Sequence, residues 1–224
     1  MIPGITASRI KRTATPGGDP YWANVVLLAN LNVDYSDAST KGKTLVPSGN
    51  AAIVDGALRL DGSADWLSTM DGMEDFRFGT GDFAVELFAK TSIAKEMVLL
   101  DYFRAGGGYW QMEITQTGSP YWYSPQSEGL AINVRDNEWH HLAFAVEAGW
   151  CYFFVDGVLA RNAAHTANYN STAVTMMSIG AQVDQRNSAY DFGGEIKGVR
   201  ITKGSARGYT TNFTPPPFPL PVGF

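Results

Sequence analysis

Gly81-Asp82-Phe83-Ala84-Val85-Glu86-Leu87-Phe88-Ala89-Lys90 is the stretch that decides the fold class. Phe83, Val85 and Leu87 fall on one face of an extended chain and Asp82 and Glu86 on the other, which is the two-residue period of a β-strand. The same alternation recurs on both sides. Trp110, Met112 and Ile114 oppose Gln111 and Glu113; Leu130, Ile132 and Val134 flank Asn133; Leu142, Phe144 and Val146 follow His141; Val199 and Ile201 alternate with Arg200 and Thr202. No stretch of a dozen residues carries an apolar stripe at helical spacing.

Turn chemistry points the same way. Asp55-Gly56, Asp61-Gly62, Asp71-Gly72 and Asp156-Gly157 tolerate positive φ and close tight turns, the clearest hairpin being Cys151–Val155, Asp156-Gly157, Val158–Ala160. Short strands punctuated this often, with 24 glycines in 224 residues, predict an all-β, two-sheet antiparallel jelly-roll sandwich. Residues 1–20 hold Arg9, Lys11 and Arg12 before Pro16-Gly17-Gly18 and read as an N-terminal arm. Residues 21–214 read as one domain, and residues 215–224 as a proline-rich tail running extended over a surface.

Composition excludes several functions. A net charge of −5 without a basic stripe disfavours nucleic acid. No apolar run reaches the roughly 20 residues of a membrane span, and no basic-then-apolar leader opens the chain, so a soluble protein assembled inside a cell is expected. The lone Cys151 rules out an intrachain disulfide, and its neighbours Tyr152, Phe153 and Phe154 mark it as a buried small hydrophobe.

Five ordered segments resemble the laminin-G-like branch of the concanavalin A-like lectin/glucanase superfamily. They are Val25–Leu31, Ala57–Leu67, Gly81–Lys90, Glu138–Phe144 with Phe154–Gly157, and Gly194–Gly204. Two edge stretches, Gly18–Leu28 and Arg200 through Pro216, are similar to stretches of tailed-bacteriophage structural proteins. That resemblance implies a virion protein assembled in the host cytoplasm, in contact with other virion proteins and present as a homo-oligomer or in many copies. The superfamily resemblance also implies a Ca²⁺ ion held by loop oxygens. Asp34, Asp37, Asp61, Asp65, Asp184 and Asp191 are the available turn acids; the same residues also suit capping of local amides, and no spacing singles out a ligand set.

Glycoside hydrolysis needs paired carboxylates, and the family's enzymes resemble one another in a Glu-x-Asp-x-x-Glu strand. No Glu here is followed two residues on by an acid. Asp136 and Glu138, the one acidic pair at that spacing, sit in a turn. His140 and His141 point to opposite faces of a strand, and His165 has no nucleophile motif near it. The chain is therefore expected not to be an enzyme. Ser119-Pro120-Tyr121-Trp122-Tyr123-Ser124-Pro125 is the candidate carbohydrate site, because three consecutive aromatics cannot all face one core and an outward ring can stack on a pyranose; a loop packing on its own domain or on a neighbouring subunit is the alternative. The expected function is a virion structural, decoration or attachment protein; the alternative is a lectin-like module that binds a host-surface glycan through Tyr121, Trp122 and Tyr123. Ala105-Gly106-Gly107-Gly108 reads as a loop tip, with ligand approach as the alternative.

Overall fold

The computed structural model describes residues 18–223, so Arg9, Lys11 and Arg12 lie outside the described residues. Two antiparallel sheets face each other as a jelly-roll sandwich. The larger runs in the order β13 (Val158–Ala164), β12 (Trp150–Val155), β11 (His140–Glu147), β6 (Phe83–Lys90), β15 (Gly193–Lys203), β4 (Ala57–Asp61), β3 (Ala52–Val54), with β1 (Val25–Ala29) also paired to β15. The smaller runs β10 (Glu128–Gly129), β9 (Pro120–Tyr123), β8 (Trp110–Ile114), β7 (Met97–Tyr102), β14 (Met177–Ile179), β5 (Trp66–Thr69), β2 (Val46–Ser48). Only three short 3₁₀ turns interrupt the strands among the described residues, and none of these residues form a helix long and apolar enough to cross a membrane. Asp156 and Gly157 both adopt positive φ, 52° and 75°, and close the β12–β13 hairpin as their sequence predicts.

Alternation sorts each strand between two environments. Phe83, Val85 and Leu87 of β6, Phe144 of β11 and Phe153 of β12 face inward and meet Trp110, Met112 and Trp122 from the smaller sheet. Trp122 bridges the layers, stacking on Phe144 with ring centroids 4.2 Å apart and on Trp110 at 5.3 Å. One expected strand is missing. Leu130, Ile132 and Val134 cross irregularly from β10, held by Leu130 N–H to Pro120 C=O and Val134 N–H to Gly118 C=O, with Ile132 exposed and Val134 buried. Three alternating positions without a partner strand are too few to build a ladder.

The outer face of the larger sheet is covered as well around its central strands. Ala206, Tyr209 and Phe213 close over Ala84, Ala143 and Phe154, while Leu220 packs on Val25 and Leu28. The proline-rich stretch is fastened there: Asn30 exchanges two hydrogen bonds with the Leu220 backbone, and Asp19 N–H donates to Val222 C=O at 2.9 Å. Glu86, read from alternation as pointing away from the core, is therefore fully buried. It accepts from Arg200 Nε at 2.8 Å, His141 Nε2 at 2.9 Å and Tyr209 Oη at 2.9 Å. Arg200 and Arg207 also donate to Asp19, which composition had assigned to the arm but which is 2% exposed. Burial opposes ionisation of Glu86, yet Arg200, His141 and Arg207 together hold its carboxyl down at about 2.

Glu86→Ala is expected to cost about 3–5 kcal/mol in urea unfolding, because it leaves buried guanidinium charge uncompensated. Arg59→Ala, which breaks an exposed pair with Glu195, is expected to cost under about 1 kcal/mol. Equal losses in the two variants would refute this account of the network. The carboxyl's contribution is complete above pH 4.5 and disappears as pH falls toward 2.

Candidate functional site

The outer face of the smaller sheet carries a cleft of about 460 Å³. Strand register builds it. Gln111 lies opposite Tyr123 and Glu113 opposite Tyr121 across β8 and β9, so all four side chains share the outward face. Asp101 of β7 lies opposite Gln111, and Ser178 of β14 opposite Asp101, extending the row across four strands. Phe103 and Tyr109, from the β7–β8 loop, join Tyr123 in an aromatic cluster with centroids 4.7–5.8 Å apart. Glu96, Gln182, Asn187 and Tyr190 complete the walls.

The floor is polar, and burial raises the pKa of both of its carboxyl groups. Asp101 accepts from Gln111 Nε2 at 2.8 Å, Val183 N–H at 3.0 Å and Ser178 Oγ at 3.3 Å; burial nevertheless pushes its carboxyl up to about 7. Burial pushes Glu113 up to about 8, and the negative charges of Glu96 and Asp101 add to the rise. Burial likewise takes the Tyr109 hydroxyl to about 12. Glu113 thus keeps a proton to donate at neutrality, beside the half-buried rings of Tyr121 and Tyr123. Such a surface offers flat apolar rings and hydrogen-bonding groups side by side, and a carboxylic acid able to give up a proton.

The structure divides the predicted aromatic trio. Trp122 is fully buried in the core and donates its indole N–H to Tyr169 Oη at 2.9 Å, so it offers no ring to a ligand; strand alternation leaves Tyr121 and Tyr123 in the cleft. The six turn aspartates stand apart from this cleft, each bound to backbone amides. Asp37 accepts from Leu28, Ser39 and Lys43; Asp65 from Asn50 and Asp61; Asp34, Asp61, Asp184 and Asp191 from Ser36, Ser63, Thr175 and Ala64 respectively. Asp191 also receives both Arg186 guanidinium nitrogens. His141 is buried against Glu86, whereas His140 bridges Asp136 and Asp156 at the surface. The Gly106–Gly108 loop lines a separate, open polar depression with Asn168 and Asn170.

Gln111, Glu113, Asp101 and Glu96 escaped the sequence reading as site residues. A search for acids two apart on one strand cannot find carboxylates gathered from different strands, and these meet only through the β7–β8–β9 register. The signal that existed was the polar face of β8, opposite Trp110, Met112 and Ile114. Replacing Glu113 by Gln has a pH signature. The folded state holds the Glu113 proton between about pH 4.5 and 8 while the unfolded chain releases it, so wild-type stability falls as pH rises through that window. Glu113→Gln should melt with wild type near pH 4.5 and exceed it increasingly toward pH 8; parallel Tm profiles would exclude a protonated Glu113.

No curated protein matches the sequence. Among solved structures, the fold is similar to the binding domain of Paraclostridial Mosquitocidal Protein 1, with TM-score 0.67, 13% identity, and 83% of this chain and 50% of that one covered. It is also similar to the binding domain of botulinum neurotoxin DC, solved in complex with rat synaptotagmin II, with TM-score 0.65, 11% identity, and coverage of 81% and 48%. A third is a structure of botulinum neurotoxin type C, whose entering of cells is dependent upon interaction with two ganglioside molecules; TM-score is 0.61, identity 10%, and coverage 81% and 48%. The chain spans about half the length of these structures, and at such identities the likeness is one of fold. The laminin-G model of the concanavalin A-like lectin/glucanases superfamily matches residues 61–207, and the chain belongs to that superfamily.

Proposed function

We propose that this chain is a non-enzymatic recognition module that binds surface carbohydrate in the cleft of Tyr121, Tyr123, Gln111 and Glu113. The observation that carries the reading is the cross-strand pairing of two half-buried tyrosines with an amide and a carboxyl group in the cleft on the outer face of the smaller sheet. A pyranose presents an apolar C–H face to a ring and equatorial hydroxyls to neighbouring donors and acceptors, the pattern this face complements. The use of the same fold in toxin binding domains, one solved with synaptotagmin II and one from a toxin dependent on gangliosides, supports recognition of surface molecules as the class of function.

The module's place is proposed to be a virion, as an attachment or decoration protein in contact with other virion proteins. The two stretches similar to phage structural proteins support this reading because they form one unit: β1 pairs with β15, and Asp19 meets Arg200 and Arg207. Mass spectrometry of separated heads and tails tests it, and absence of the chain from intact particles would refute it. Hydrolysis is the competing reading, favoured by the raised Glu113 beside Glu96 in the same cleft. Reducing-end release from host polysaccharide, abolished by Glu113→Gln, would establish it in place of simple binding.

On a glycan array, with and without Ca²⁺, wild type should give discrete hits. Tyr121→Ala and Tyr123→Ala should each weaken those hits by about 1 kcal/mol, roughly fivefold in Kd. Ala105→Ser, outside the cleft, should leave them unchanged. No signal above background, or hits indifferent to both tyrosine substitutions, would refute the cleft as the binding site.

A further inference from the structure

At the open edge of the sandwich, Glu128 of β10, Cys151 of β12 and His165, just beyond β13, bring a carboxylate oxygen, a thiol sulfur and an imidazole nitrogen within 4.8 Å of one another. All three residues are at most 4% exposed. They come from both sheets: Glu128 from the edge of the smaller, Cys151 and His165 from the edge of the larger.

His165 Nε2 lies 2.6 Å from Tyr169 Oη, which accepts from Trp122 Nε1 at 2.9 Å. His165 Nδ1, on the other side of the ring, is buried with no hydrogen-bond partner. A buried ring nitrogen without a partner is costly, and an imidazole fixed by a hydrogen bond on its far nitrogen is the form that ligates a metal.

We propose that Glu128, Cys151 and His165 bind a zinc-type divalent transition metal that clips the two sheets together at this edge. Bond lengths of about 2.0–2.3 Å place tetrahedral ligand atoms roughly 3.3–3.8 Å apart, so the side chains close in by up to about 1.0–1.5 Å from the 4.8 Å limit when the ion binds. Thiolate, imidazole and carboxylate form a donor set suited to zinc or cobalt and poorly suited to Ca²⁺. Arg161 Nε holds one Glu128 oxygen, Oε2, leaving Oε1 for the ion. Binding displaces the Cys151 thiol proton into solvent. Three protein ligands leave a fourth tetrahedral position for water or a small anion.

Cobalt titration of the purified, metal-stripped full chain tests the site. One equivalent of Co²⁺ should give a thiolate-to-metal charge-transfer band in the near ultraviolet together with tetrahedral d–d bands, and Zn²⁺ should displace it. Zn²⁺ at a hundredfold excess over its Kd should raise Tm by about 5–10 °C. Cys151→Ala should lose the band, and Tyr169→Phe, which removes the outer partner of His165, should weaken binding about tenfold. Failure to bind one equivalent, binding without a thiolate band, or a band that survives Cys151→Ala would overturn the proposal. Should Cys151→Ala not fold, the wild-type cobalt spectrum decides alone.

Discussion

Glu86 and Arg200 are register partners on adjacent strands, β6 and β15, and both point to a face of the larger sheet that the chain covers over. Two opposite charges there are tolerable only if each is balanced and hydrogen-bonded, since isolated buried ions cost several kcal/mol apiece. Asp19 and Arg207 supply the balance from beyond β1 and β15, giving two carboxylates and two guanidinium groups in one cluster. Apolar residues of similar volume would bury as well, so the charges are best understood as specifying which segments seat on the sheet. Asp19 and Arg207 reach those charges only when the segments that carry them lie on this face.

That closure decides where a ligand can go. With the centre of the larger sheet's outer face covered, the cleft on the outer face of the smaller sheet is the candidate place for another molecule. Its pleat then sets the chemistry: every second residue of β8 and β9 enters the core, and the intervening ones form the cleft. Gln111 and Glu113 are almost wholly buried there, yet they stand at the cleft and not in the apolar core. The low dielectric around Glu113 favours its neutral form, so the cleft gains a donor without gaining a fixed charge.

The β-sandwich was legible because alternation is a local signal and turn pairs such as Asp156-Gly157 carry their own conformational demand. Burial of both faces was not legible. Glu86 and Arg200 look solvent-facing in any strand pattern, and only the return of the C-terminal segment hides them. The candidate face was half legible. Three consecutive aromatics announced that something must point outward, but which ring did so depended on strand phase, and phase put Trp122 inside. Glu113, Asp101 and Glu96 were invisible because their proximity is a property of register between strands. Glu128, Cys151 and His165 were invisible for the same reason, being spread over three segments with no ligand spacing along the chain.

The alternation that removed Trp122 from the candidate site also gives the site its rigidity. Trp122 is clamped between Trp110 and Phe144 and tied to Tyr169, so β9 cannot shift along its axis or twist without disrupting the aromatic stack at the centre of the core. Tyr121 and Tyr123 flank Trp122 in sequence and inherit its position. The Tyr123 ring is further restrained by Tyr109 and Phe103, and the Tyr121 ring stacks on Tyr123, with β8 partners opposite both. A platform held this way loses little conformational freedom when a ligand arrives, which is where much of the affinity of small-ligand sites is otherwise dissipated. The buried tryptophan thus fixes the spacing of the two rings on which the proposed carbohydrate recognition rests, without itself reaching the cleft.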